Sequence, residues 1–462
     1  MKNFTVGMQV HTHDVRDEGA DAVVDNMRRL AQITTIYPTA NYNEERQPYP
    51  RGELPHNPVR KEFCTIGGLY FEPHSEYYRK SVLKPQRTPE LGLEDFDVLR
   101  AITRPARENG VKVLPWIIAL NDSVISDKYA KYSMIDIYGK QVHGWLCPSY
   151  REVRTYVLSL IKDMIKSYDV DGIFLDTIRF PEWTRGAGQH GEGFDSASAC
   201  FCKECMKRAK STGIDISKTR TCVRKIADSV KENKVAPVVS KFLGYRKGCL
   251  DLARILVDVP ELTEWINFRQ DIIADFVSEV HKLIKGTSSR LELSLDLWPP
   301  SYSWLLGQNY RKLRKCCDSL KYFTYHKMGG GVDLKAVVEE LKRLNSDLDV
   351  AMFMELFYRF FGFSGPTDLE EFGEKGFTMD FVLEETLKAL DETKGEVRVY
   401  PGVQIWDVTP EEVKDAVHKA SEANVDGVIA FCYGWATLGN IQSFGDAVRQ
   451  RKSAFTQSDE AM

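Results

Sequence analysis

The chain has 462 residues, of which 43% are hydrophobic and 28% charged, so it can bury a large core and is longer than a minimal eight-strand barrel requires. A formal net charge of −4, with no long Lys/Arg block, excludes a strongly basic surface and argues against nucleic acid or an anionic membrane as partner. No apolar stretch approaches membrane-spanning length, and the N-terminal MKNFTVGMQVHTHD lacks the features of an export signal. The expected compartment is the cytoplasm, with the ten cysteines mainly reduced.

Short β-branched apolar runs alternate with longer amphipathic stretches, the pattern of strand–helix units around a parallel sheet. In chain order the predicted strands are Phe4 to Val10, Ile33 to Pro38, Val111 to Ile117, Asp171 to Asp176, Leu291 to Asp296, Leu320 to Tyr325, Val397 to Trp406 and Asp426 to Tyr433. Eight such runs predict an α/β fold, a closed (β/α)8 TIM barrel. Ser149 with Glu152 predicts a capping box before the helix that feeds the fourth strand, and Thr409, Pro410 and Glu412 predict another after the seventh. Residues 332 to 396 read as two or three helices, with Ala351 to Gly362 as helical core. The surplus length falls in two insertions, about 43–91 after the second strand and about 181–259 after the fourth. Both leave strand C-termini, where barrel enzymes build their active sites, so 1–452 is expected to be one catalytic barrel and 453–462 a frayed, flexible tail.

Two strand ends carry carboxylates. YDVDGIFLDTIRFP places Asp176 at the end of the fourth strand with Arg179 just beyond, and LELSLDLWPP places Asp296 at the end of the fifth. Taken singly, either Asp could cap a loop or pair with Arg179; together they form the acid and nucleophile pair that glycoside cleavage needs. Asp176 would attack or activate water, Asp296 would protonate the leaving oxygen, and Arg179 would hold Asp176 ionised. Neighbouring strand ends bring the carboxyls close, which points to retention, and no cofactor is required.

The blocks LCPSYREVRTYV, YDVDGIFLDTIRFP, CFCKEC, SLDLWPPSYSWLLGQNYRKL, YFTYHKM, VYPGVQIWDVTPEEV and DGVIAFCYGW span nearly the whole chain. They resemble glycoside-hydrolase-like TIM-barrel families distantly similar to the α-amylase-type superfamily. The resemblance implies a carbohydrate substrate and makes Asp176 the nucleophile. It departs at the fifth strand, where relatives carry Glu and this chain has Asp296; Glu182 and Asp407 are alternative acids.

Five of the eight tryptophans, Trp116, Trp183, Trp298, Trp406 and Trp435, fall at or just after strand C-termini, and Trp304 lies in the loop beyond the fifth. Flat rings there suit the apolar faces of sugars, with His11, His13, Tyr325, His326, Gln404 and Tyr433 available for hydroxyl groups. The same histidines support a rival: His11 and His13 form the H-x-H with which amidohydrolase-type barrels hold a catalytic metal, although His326 alone supplies a further ligand. A barrel that binds glycan without cleaving it is a third possibility. Cys200, Cys202 and Cys205 form a C-x-C-x2-C cluster that could hold a structural zinc, with Cys222, His190 or Cys249 as fourth ligand; a packed cluster of reduced thiols is the alternative. Nothing in the sequence signals an oligomeric state.

Overall fold

Each predicted run becomes a strand of one parallel sheet in the computed structural model, which describes residues 4–44, 53–182, 193–237, 239, 254, 257–327 and 334–460. The strands are β1 (Thr5–Val10), β2 (Thr35–Pro38), β3 (Lys112–Val113 continued by Trp116–Ile118), β4 (Gly172–Asp176), β5 (Glu292–Leu297), β6 (Ser319–Phe323), β7 (Arg398–Gln404) and β8 (Gly427–Phe431). Pro115 cannot donate to the ladder and divides β3 in two. The first half pairs with β2 and the second with β4, while the order β2–β1–β8–β7–β6–β5–β4 joins the rest, so the sheet closes into a (β/α)8 barrel. Bonds from Ala40 N to Trp116 O (2.8 Å) and from Phe174 N to Pro115 O (2.9 Å) carry the closure across the break.

Because side chains alternate along a strand, the register decides which of them fill the barrel. At the N-terminal end Glu292 and Arg398 form an ion pair of 2.9 Å, and Ser319 Oγ donates to Glu292 at 2.7 Å. Above them Tyr37 packs on Phe174 with ring centroids 4.4 Å apart. The same inward parity brings Gln9, Trp116, Asp176, Asp296 and Lys321 to the C-terminal end. Space inside is tight enough to demand glycine, as at Gly7 and Gly402. A Cβ at Gly7 would lie 2.6 Å from the Tyr37 ring, and one at Gly402 would lie 2.5 Å from Lys321 Cε.

The outer layer includes helices Ala20–Ala31, Val98–Glu108, Arg151–Ser167, Pro260–Thr287, Asp380–Thr393, Pro410–Glu422 and Leu438–Glu460. The last carries helical backbone into the stretch expected to be a frayed tail. The capping box of Thr409 and Glu412 forms, with Pro410 in the first turn. The one expected from Ser149 and Glu152 does not: the helix begins one residue later, its cap position is Tyr150, and Ser149 Oγ instead lies 3.1 Å from Cys205 Sγ.

Between β6 and β7 the described residues hold four helices, Leu334–Leu344, Val350–Phe361, Leu369–Lys375 and Asp380–Thr393, one more than the sequence suggested. Val350–Phe361 is helical as expected but is not core throughout. Only Met354 and Tyr358 are buried, within an aromatic cluster separate from the barrel core, and Phe360 is 47% exposed. After β2 the chain forms a two-stranded pair, Asn41–Tyr42 with Gly68–Leu69; after β4 it forms helices Lys203–Ser211 and Ile216–Lys231. A further excursion, not expected from sequence, follows β3: helix Ser123–Lys128 and an antiparallel hairpin of Ser133–Ile135 with Gln141–Leu146. Its alternation and Gly139, at φ 89 in the turn, were the available signals. Among the described residues no helix is long and apolar enough to cross a membrane.

Candidate active site

Asp176 and Asp296 reach the mouth of the barrel together. β4 and β5 pair in the register Ser294 with Phe174 and Leu295 with Leu175, and one residue further sets Asp296 beside Asp176, both pointing inward. Asp176 is half-buried; its Oδ2 accepts from Trp116 Nε1 at 2.9 Å and its Oδ1 accepts from the backbone N–H of Thr177. Thr177 has φ 57, so the backbone turns sharply as β4 ends.

Asp296 lies deeper. Lys321, fully buried on β6 and in register with it, sets its ammonium 3.0 Å from Oδ1 and 3.1 Å from Oδ2, and Gln9 Nε2 donates to Oδ2 at 3.4 Å. Lys321 Nζ also donates to the Tyr325 hydroxyl at 2.6 Å and sits 4.3 Å from the centre of the Phe323 ring. Burial pushes the Asp296 carboxyl up to about 8, against the pull of Lys321 and with the help of the negative Asp176. Burial likewise lowers the Lys321 ammonium, opposed by Asp296 and then by Asp176. One buried cation thus serves two carboxyl groups.

Arg179, expected to hold Asp176 ionised, is anchored beyond the strand end. Its guanidinium pairs with buried Glu182 and lies between two indoles, 5.0 Å from the ring centre of Trp145 and 4.9 Å from that of Trp298. A buried cation whose field reaches Asp176 is Lys321, a residue the sequence reading passed over. Of the alternative acids, Glu182 is held in this pair and Asp407 is exposed.

Aromatic side chains converge above the carboxyls. The His11 ring lies 4.1 Å from Phe63, 5.1 Å from Tyr42 and 5.3 Å from both Trp116 and Trp435. Burial, and to a lesser degree His13, drives its pKa well down, so it is a neutral imidazole, and its Nε2 has no hydrogen-bond partner among the described residues. Trp406 meets Tyr325 edge-on at 4.9 Å and Phe431 at 5.3 Å, and Phe431 lies 5.2 Å from Trp435. Phe63, Tyr42 and Phe431 belong to this bowl but were not singled out from sequence; they lie in the stretch after β2 and on an ordinary strand, and only the closed barrel collects them.

Most other predicted sugar contacts are engaged elsewhere. His13 Nε2 lies 2.8 Å from Glu90 Oε2. Burial would raise the Glu90 carboxyl, but the hydrogen bond and charge of His13 prevail and hold it down at about 2. Gln404 is spent on backbone, donating to Trp406 O at 3.0 Å and accepting from Lys327 N at 3.1 Å. The Tyr433 hydroxyl donates to Glu18 at 2.8 Å and accepts from Asn26 at 3.1 Å, whereas buried His326, its Nε2 3.9 Å from Glu412, has no hydrogen-bond partner at either ring nitrogen among the described residues. Trp298 packs with Tyr302 in the separate aromatic cluster, and Trp304 donates to Ser301 O at 2.9 Å. Trp183, His190 and Cys249 lie outside the described residues.

The cysteine cluster gains a member. Cys147, immediately after the hairpin, joins Cys200, Cys202 and Cys205, all four buried with their sulfur atoms within 4.8 Å of one another. Cys222 is not part of this group. Among the described residues no other group of three or more His, Cys, Asp or Glu side chains comes together in this way, and His11 and His13 belong to none.

A closed (β/α)8 barrel with paired carboxyls and an aromatic bowl at its C-terminal mouth has the architecture of a glycoside-hydrolase barrel. The chain belongs to the family described as glycosyl hydrolase-like 10, which matches residues 72–313. Among solved structures it is similar to the glycoside hydrolase domain of PgaB (BpsB) from Bordetella bronchiseptica, at 14% identity and a TM-score of 0.51, covering 97% of this chain and 98% of that one. It is also similar to α-L-fucosidase isoenzyme 2 from Paenibacillus thiaminolyticus, at 15% identity and TM-score 0.54, covering 99% of this chain and 50% of that one. The catalytic domain of β-amylase from Paenibacillus polymyxa follows at 10% identity and TM-score 0.52, covering 97% and 98%. These likenesses show a shared fold. No curated protein matches the chain.

Proposed function

We propose that the protein hydrolyses a glycosidic bond, with Asp176 as nucleophile and Asp296 as general acid. The observation that carries this reading is the in-register pair of inward carboxyls on β4 and β5, electrostatically coupled and roofed by aromatic rings. Asp296 has the property the acid needs, because a carboxyl raised to about 8 keeps its proton at neutral pH. Asp176, held by the Trp116 indole and the Thr177 amide, has its oxygens fixed for attack on the anomeric carbon. The leaving oxygen would take the Asp296 proton, and the resulting carboxylate would then accept a proton from the water that breaks the glycosyl–Asp176 bond. Lys321 Nζ, 3.0 Å from Asp296 Oδ1, is placed to act on both carboxyls.

Paired strands about 4.8 Å apart suit the ~5–5.5 Å carboxyl separation of a retaining site better than the wider inverting one, which supports retention. The neutral His11, with a free Nε2 beside Trp116 and Trp435, suits a sugar hydroxyl rather than a metal. A broad panel of glycosides and polysaccharides tests the reading: wild type should turn over at least one, and Asp176→Asn should lose about 10³-fold or more of that activity. Full activity in the variant would refute the assignment. Saturable glycan binding with no turnover, unchanged by the substitution, would instead mark a binding barrel.

A further inference from the structure

The buried thiols of Cys147, Cys200, Cys202 and Cys205 come from two separate parts of the chain and have no assigned partner chemistry in the glycosidase reading. Cys147 ends the hairpin after β3; the other three lie at the start of helix Lys203–Ser211, in the excursion after β4. Cys147 Sγ lies 3.5 Å from Cys205 Sγ and 3.6 Å from Cys202 Sγ. A tetrahedral zinc with Zn–S bonds of ~2.3 Å needs sulfurs about 3.8 Å apart, and four sulfurs within 4.8 Å of one another meet that demand with small adjustment. The sulfurs carry no disulfide: all four cysteines are free.

A second observation points to a bound charge. Arg269, on helix Pro260–Thr287, is buried with its guanidinium 4.2 Å from the Trp265 ring centre and 4.5 Å from that of Phe180, and its Nε and Nη2 have no hydrogen-bond partner among the described residues. A buried cation without an ion pair is costly. Cys200 and Cys205 lie close enough to act on its charge. A divalent ion held by four thiolates carries two net negative charges, and this would be the counter-ion that Arg269 otherwise lacks.

We propose that these four cysteines bind one zinc ion as a structural tetrathiolate site, compensated by Arg269, that fastens the excursion after β4 to the hairpin after β3. Binding displaces the remaining thiol protons to solvent, and no redox change is involved. The two segments already meet through Phe201 N to Ile135 O at 2.7 Å and Ile137 N to Ser198 Oγ at 3.0 Å. The same hairpin carries Trp145, one of the two indoles that sandwich Arg179, so the ion would stiffen a wall next to the active face. The site stands whether or not the barrel cleaves glycans.

Metal analysis of protein purified without chelator, or refolded with zinc under reducing conditions, should give one zinc per chain. Cys147→Ser should drop this below one tenth, and Cys222→Ser should leave it at one. Cobalt substitution of the wild type gives a readout that does not depend on any variant folding: intense visible d–d bands with a sulfur-to-cobalt charge-transfer band in the near ultraviolet are expected for four thiolates. Absence of bound metal from both preparations, a full zinc complement in Cys147→Ser, or a cobalt spectrum without thiolate charge transfer would each overturn the proposal.

Discussion

Replacing Lys321 by Met removes a buried cation shared by Asp296 and Asp176 while keeping nearly the same volume. At 3.0 Å and an effective dielectric of 20, the Lys321–Asp296 attraction is on the order of 5 kcal/mol. That attraction acts only where both groups are charged; around neutral pH Asp296, raised to about 8, keeps its proton with or without Lys321, so what the variant loses there is a polar partner. Around neutral pH the variant should therefore lose only about 1–3 kcal/mol, the cost of buried polar groups deprived of a partner. The pH dependence is the sharper signature. Wild-type Asp296, raised to about 8, holds a proton that the unfolded chain has released above about 4. Its contribution to stability thus falls between those values and levels off above 8. Without Lys321 the folded carboxyl titrates higher still, so the variant keeps losing stability where wild type no longer does, by about 1.4 kcal/mol for each further pH unit. Lys321 reinforces the contrast: its lowered folded pKa makes wild type gain stability as pH climbs towards the ordinary lysine value. Reversible urea unfolding at pH 6 and pH 9 of wild type, Lys321→Met, Asp296→Asn and the double variant measures this. The gap between wild type and Lys321→Met should widen by more than 1 kcal/mol at pH 9, and the double variant should be much less destabilised than the sum of the singles. Equal gaps at both pH values, with additive single effects, would refute a buried charge pair.

Activity should show an alkaline limb near pH 8 in kcat/KM, as Asp296 loses the proton it donates, and Asp296→Asn should abolish that limb along with most turnover; a profile flat to pH 9 would assign the acid elsewhere. Trp116→Phe keeps the ring but removes the 2.9 Å donor to Asp176, and kcat should fall about 10–100-fold with KM little changed. Glu90, held down at about 2 beside His13, contributes stability that is present above about 4.5 and lost as pH falls towards 2. Glu90→Gln should accordingly destabilise the protein at pH 7 while flattening its acid denaturation between those values, read by circular dichroism. Gly402→Ala forces a Cβ to within 2.5 Å of Lys321 Cε and 2.7 Å of Tyr322 O, which should cost about 1–3 kcal/mol and displace Lys321, lowering activity as well as Tm.

The periodicity of the sequence alone determined the barrel, because each strand is a local run whose hydrophobic pattern and β-branched composition need no partner to be recognised. The capping box at Thr409 and the two strand-end carboxylates were equally local, and Asp176 and Asp296 do share one site. What sequence could not supply is register and reach. Lys321 sits in LKYFTY like any strand residue, and only pairing with β5 turns it inward onto Asp296. Arg179 stands three residues from Asp176 in sequence, yet the turn at Thr177 carries it to Glu182 between two indoles. Cys147 lies on a hairpin far upstream of CFCKEC, and Phe63 and Tyr42 reach the His11 ring from the excursion after β2. Contacts closed over long loops depend on how whole segments pack, and no spacing within a local window encodes them; the tertiary structure alone decided which charges, thiols and rings would meet.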